Sequence, residues 1–213
     1  MPDTLATIRT TLVERAAGSS NDPMFDPSTL DRIINAANRR LGRVTDWPWL
    51  KTLGTISWTA NDTNGQDLAT AITNFRHLNY LAYTDRKLTY KTPQDFVAVN
   101  AVTGSEPFYY TVLGPSTLYL APNPTQAVTL TYVATIDENV LTTDSSTPLL
   151  PSAYTELLVL AALQPLAVRL HDGELLNMAK NEYRTALEEA RDEVRRTRQL
   201  PTVEVDQSSW RMV

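Results

Sequence analysis

Two histidines, His77 and His171, are the chain's only imidazoles, and most of the sequence separates them. Proton transfer or nucleophilic attack needs a base held against a second group. Neither histidine has such a neighbour in sequence: His77 falls in a predicted strand, and His171 opens the turn His171-Asp172-Gly173. Each reads as a surface or structurally hydrogen-bonded residue. The adjacent acids Asp137/Glu138 and Glu188/Glu189 are of the type that hydrolyses glycosides, but neighbouring carboxylates on a loop or an exposed helix read first as solvated charge. Asn61-Asp62-Thr63-Asn64-Gly65 starts like a calcium loop, yet the twelfth position is Ile72 where a bidentate carboxylate is needed, so it predicts a turn. Trp47, Trp49 and Trp58 offer rings on which a sugar or base can stack. The stretch Asp46-Trp47-Pro48-Trp49-Leu50 has no basic residue, which favours packing at a structural junction. There is no Gly-x-Ser-x-Gly elbow, phosphate-binding glycine loop, dinucleotide fingerprint or two-histidine metal helix. The expectation is a protein without catalytic residues, cofactor or metal.

The 213 residues suffice for one domain with an insert, and 42% hydrophobic with 20% charged residues matches ordinary globular chains. A net charge of −5 gives no general attraction for nucleic acid. The absence of cysteine excludes disulfides and thiolate metal sites. The N-terminal residues lack a basic region followed by an apolar run. The most apolar stretch, Leu157–Leu170, is interrupted by Gln164, Pro165 and Arg169, so neither a signal peptide nor a membrane span is expected.

Leu5, Ile8, Leu12, Val13 and Ala16 form a helical stripe that Gly18 to Pro23 ends. Asp26 and Pro27 supply the cap and first position of a second helix, whose stripe Leu30, Ile33, Ile34, Ala37 and Leu41 predicts an end near Gly42. From Trp47 the period becomes two. Strands are predicted at Thr52–Trp58, His77–Tyr83, Arg86–Tyr90, Phe108–Leu113, Thr117–Ala121 and Val128–Thr135, with a short helix over Pro93–Val99 capped by Thr92. Thr84-Asp85 joins the second and third strands without the glycine that tight hairpins prefer. A polar loop over Asp137–Pro151 returns the chain to helical period.

Ser152–Leu170 is apolar nearly all round, which predicts burial on most sides, with other subunits as one source of cover. The helix after Gly173 carries Leu176, Ala179, Tyr183, Leu187, Ala190 and Val194 as a narrow stripe and mixed charge opposite, read either as a solvated face or as a polar subunit contact. The resulting fold class is α+β: an antiparallel four-helix-bundle-like domain from residues 1–46 and 150–198, a small antiparallel sandwich- or barrel-like insert over 47–149, and an extended tail over 199–213. Leu157, Leu160, Leu163, Tyr183, Leu187 and Val194 are the candidate inter-subunit packing positions. The apolar tail side chains Leu200, Val203, Val205, Trp210, Met212 and Val213 either seek a partner, fold back, or remain a free end.

Pro93-Gln94-Asp95-Phe96, Leu118-Tyr119-Leu120-Ala121-Pro122-Asn123-Pro124, Leu130-Thr131-Tyr132 and Leu149-Leu150-Pro151, followed by two long helices, occur in an order that resembles the head-to-tail adaptor (connector) proteins of tailed bacteriophages and gene transfer agents. The resemblance implies a structural virion protein that forms a dodecameric ring beneath the portal and passes DNA through its channel without reading its sequence. It also implies a portal-docking C-terminal tail and a downstream tail protein as a further partner. The location implied is the virion neck, after assembly in the host cytoplasm and with no membrane contact. Two other readings use the same residues: a carbohydrate-binding or hydrolytic module on the β insert, which requires Trp47, Trp49 and Trp58 to line one groove, and a tail-assembly protein without portal contact.

Overall fold

A computed structural model describes residues 3–16, 25–100 and 103–198. Helix α1 (Leu5–Arg15) starts where the Thr4 hydroxyl accepts from Thr7 N, and α2 (Pro27–Val44) starts where the Asp26 carboxylate accepts from Thr29 N. The chain then makes a 3-10 turn over Pro48–Leu50 and enters β1 (Lys51–Trp58). Two-residue β2 (Gln66–Asp67) and one-turn α3 (Leu68–Ala71) precede β3 (Phe75–Tyr83), β4 (Arg86–Lys87) and β5 (Thr89–Tyr90). Helix α4 (Pro93–Asn100) has Thr92 as its cap, the hydroxyl accepting from Asp95 N at 3.3 Å. Strands β6 (Thr103–Gly104), β7 (Tyr109–Leu113), β8 (Thr117–Ala121), β9 (Asn123–Pro124) and β10 (Val128–Ile136) complete the insert. A 3-10 turn over Ser152–Tyr154 leads into α5 (Thr155–Arg169), and α6 (Gly173–Arg198) follows.

The fold is thus α+β, as the change of period predicts. Helix α2 runs two residues past the expected stop at Gly42, because a buried glycine can stay helical where its missing Cβ makes room; a Cβ there would lie 2.8 Å from Glu138 Cγ. The insert departs further from expectation. Its strands form two four-stranded sheets, ordered β1-β10-β3-β4 and β2-β8-β7-β5, plus the pair β6-β9. The sheets are not wholly antiparallel, because β5 pairs parallel to β7 and β6 parallel to β9. The expected Arg86–Tyr90 strand is split. β4 pairs with Ala82 and Tyr83, then the chain buries Leu88 between the sheets and continues as β5 on the other one. Thr84 takes the left-handed conformation (φ 53°) that the missing glycine would have supplied.

Two cores result. Leu81, Leu130 and Ala134 of the first sheet meet Tyr110, Leu118 and Leu120 of the second. The alternation read in Val128, Leu130 and Tyr132 is the buried face of β10, the strand that pairs with both β1 and β3. The helical core gathers α1, α2, α5 and α6, together with Trp47, Leu50, Leu141 and Leu150 from the connections. The 137–151 loop is held against it by asparagines. Asn35 Nδ2 donates to Leu141 O (2.9 Å) while Leu141 N donates to Asn35 Oδ1 (2.8 Å), and Asn38 Nδ2 donates to Asn139 O (3.1 Å). The first free N–H groups of α1 donate to Ser146 O and Asp144 O, so the loop also serves as that helix's cap.

Candidate functional site

The last carbonyls of a helix have no partner within it, and at the end of α2 side chains from three parts of the chain supply one. Trp47 Nε1 donates to Leu41 O at 2.8 Å, Arg76 Nη1 of β3 to Gly42 O at 3.1 Å, and Arg191 Nη2 of α6 to Val44 O at 3.2 Å. Two of these donors are cationic, which also suits the negative end of the helix dipole. The same place ties the β insert to the helices, because Arg76 and Arg43 both approach Asp137 at 3.8 Å. Trp47 stacks on Trp49 (centroids 4.5 Å apart), and Trp49 stacks on Tyr154 (5.0 Å). The Tyr154 hydroxyl donates to Glu193, and burial together with that carboxylate pushes its pKa up to about 12.

Glu138 lies beneath this junction, 6% exposed. Neither carboxylate oxygen has a hydrogen-bond partner among the described residues, and the Trp49 indole N–H also completes no hydrogen bond. Burial pushes the carboxyl up to about 7; the Trp49 N–H opposes the shift, and the neighbouring Asp137 charge adds to it. Sequence pattern gives no signal for Glu138, since an acid beside Asp137 in a polar loop looks solvated. Gly42, which reads in sequence as a helix stop, stays helical and leaves the room that Glu138 fills.

The residues of the other chemical readings are not brought together. His77 is exposed beside Asn79 in the β insert, and His171 is exposed at the α5–α6 turn. Trp47 belongs to the helical core and Trp58 to the sheet core, both fully buried, so the tryptophans line no common groove and the sugar platform fails. At 61–65 the chain makes a turn in which Asp62 accepts from Asn64 N, with φ positive at Asn61 and Gly65. Among the described residues no group of three or more His, Asp or Glu is placed to hold a metal, and no helix is long and apolar enough to cross a membrane.

Leu157, Leu160 and Leu163 are at most 2% exposed within the single chain, and Leu187 and Val194 are buried as well. Helix α5 packs against α1, α2 and α6, so this chain already supplies the cover that its all-round apolarity demands. These five side chains are thus packed within the single chain. Tyr183 is half-buried at the seam of α6 and α2. The tail positions Leu200, Val203, Val205, Trp210, Met212 and Val213 lie outside the described residues. Outward, α2 presents arginines and α6 presents acids with interspersed bases, while Val168 of α5 and Met178 of α6 are exposed apolar side chains.

None of the curated proteins matches the chain. The family described as SU10 adaptor protein matches it over residues 3–207, which takes in both cores and the junction between them. The chain belongs to this family, and so to the structural adaptors of bacteriophage virions.

Proposed function

We propose that this protein forms a ring, in all twelve copies, beneath the portal of a tailed phage, where it extends the DNA channel and receives the next tail component. The observation that carries the reading is the family match over residues 3–207. In this reading the four long helices form an antiparallel bundle from residues 1–46 and 150–198, the β insert over 47–149 projects from it, and residues 199–213 reach the portal. The two self-contained cores support it, since a ring of this kind needs rigid repeating units. Subunit contacts then fall on the exposed charged faces of the helices, α2 and α6 above all. Leu200, Val203, Val205, Trp210, Met212 and Val213 are the proposed portal anchors. DNA passes without sequence-specific contact, and the ring sits in the virion neck after assembly in the host cytoplasm.

The test is binding to the purified portal of the same phage, read by mass photometry and electron microscopy. The expected result is a ring stacked on the portal, with deletion of Gln199–Val213 lowering occupancy at least tenfold while the far-ultraviolet circular dichroism keeps its helical signal. A full-length chain that leaves the portal bare at micromolar concentration overturns the reading. A truncated chain that binds as tightly as the full one overturns the role of the tail alone.

A further inference from the structure

Charge is sorted across the helical region. On α2, Arg32, Arg39, Arg40 and Arg43 are all exposed, and with Ala36 they follow helical spacings on the face opposite the buried Leu30, Ile34 and Leu41. Arg32, Arg39 and Arg40 make no ion pair among the described residues, and Arg43 has only its 3.8 Å approach to Asp137. Arg191 of α6 continues the row. It reaches the Val44 carbonyl, and both it and Arg40 act electrostatically on Tyr183.

The other edge of α6, toward α1 and the turn before α5, carries carboxylates. Arg15 of α1 pairs with Glu156 and, at 3.3 Å, with Glu182, and the Tyr154 hydroxyl donates to Glu193 at 2.8 Å. Glu189, two turns beyond Glu182 and one before Glu193, is exposed and has no partner among the described residues. Glu156, Glu182 and Glu189 line one shallow groove, with Arg15 and Arg184 as its cations. Counting Glu193, four acids meet Arg15, Arg184 and, one turn on, Arg196 there, while the α2 edge holds five arginines with Asp137 and, one turn before Arg191, Glu188.

Like charges three and four residues apart on one helix face repel, and a partner of opposite sign removes that cost. The two edges are opposite in sign and lie on different sides of α6, so an edge of one copy is complementary to the other edge of a second copy. They suit a head-to-tail contact, which repeats from copy to copy and closes as a ring. We infer that the arginine edge on α2 and Arg191 of one copy docks on the carboxylate edge of α5 and α6, around Glu189 and Glu193, of the next copy. This rests on the ring reading above and names the surfaces that would make the ring.

Two charge-reversed full-length proteins test it, R39E/R40E and E189R/E193R, each examined alone and in a 1:1 mixture, by sedimentation velocity in low salt and by mass photometry on the purified portal. Each keeps one native edge, so each alone meets a like-charged partner edge, and self-association falls at least tenfold. In the mixture every contact again joins opposite charges, native with native and reversed with reversed, and assembly returns to near the wild-type level. Wild-type association weakens as salt rises from 0.05 to about 0.3 M, as screened surface charge requires. If a reversed pair disturbs folding, shown by a lowered melting temperature, the neutral R39Q/R40Q and E189Q/E193Q proteins carry the test, with a smaller loss of the same sign. Wild-type rings with undiminished assembly of both reversed proteins overturn the inference and leave the ring reading standing. A wild-type chain that does not self-associate, alone or on the portal, overturns both. If R39E/R40E assembles normally but loses binding to a short DNA duplex of mixed sequence, the arginines serve phosphate and the inference falls.

Discussion

Replacing Trp47 with alanine is expected to destabilise the fold by about 4 kcal/mol, the range found when a large buried aromatic is cut to a methyl group. Trp47 is fully buried, so little of the space it vacates can fill without movement of α2. Its loss also removes the donor to Leu41 O, leaving a helix-terminal carbonyl unpaired at a further cost of roughly 1 kcal/mol. The stack Trp47–Trp49–Tyr154 loses its inner member. Trp47→Phe keeps most of the packing but not the N–H, and a loss of about 1–2 kcal/mol is expected for it. Urea unfolding followed by circular dichroism separates the two variants. A loss below about 1.5 kcal/mol for the alanine variant would show that the junction relaxes and that Trp47 is replaceable.

Much of this architecture is written in periodicity. The stripe Leu30, Ile33, Ile34, Ala37 and Leu41 is the buried face of α2, and the Asp26-Pro27 start is where the helix begins. The alternation of Val128, Leu130 and Tyr132 is the inner face of β10. Period locates faces but says nothing of what covers them. Leu157, Leu160 and Leu163 thus read as buried without their cover being named: α1 and α2, from the other end of the chain, pack on α5 together with the adjoining α6. The parallel β5-β7 pair escaped for a similar reason, since Thr89 and Tyr90 are too few to show a period and their placement depends on Leu88 crossing between sheets. The junction at the end of α2 was half legible. The tryptophans marked it, whereas Arg76 and Arg191 reach it from 34 and 147 residues away in sequence, and no local pattern encodes such a contact.

Glu138→Gln is expected to stabilise the protein at pH 8 by about 3 kcal/mol and to change it little near pH 4. In the unfolded chain this carboxyl titrates near 4.5, while in the fold burial holds it up to about 7. Between those values the native state keeps a proton that the unfolded state has released. Stability from this group is therefore complete below pH 4.5, declines as pH rises toward 7, and is lost above it. A separation of about 2.5 pH units corresponds to roughly 3 kcal/mol. Asp137 beside it adds repulsion, while Arg43 and Arg76 approach Asp137 and not the buried carboxylate. Glutamine has nearly the same shape over Gly42 and never ionises, so the variant's stability lacks this slope. Other carboxylates also titrate, but they are common to both proteins, and the difference between wild type and variant isolates Glu138. Urea unfolding at pH 5 and pH 8 should show the wild type's disadvantage growing by roughly 2–3 kcal/mol over that interval. Equal stabilities at both pH values would mean that the carboxylate finds water or a cation at the junction, and that the seam between sheet and helices is open at neutral pH.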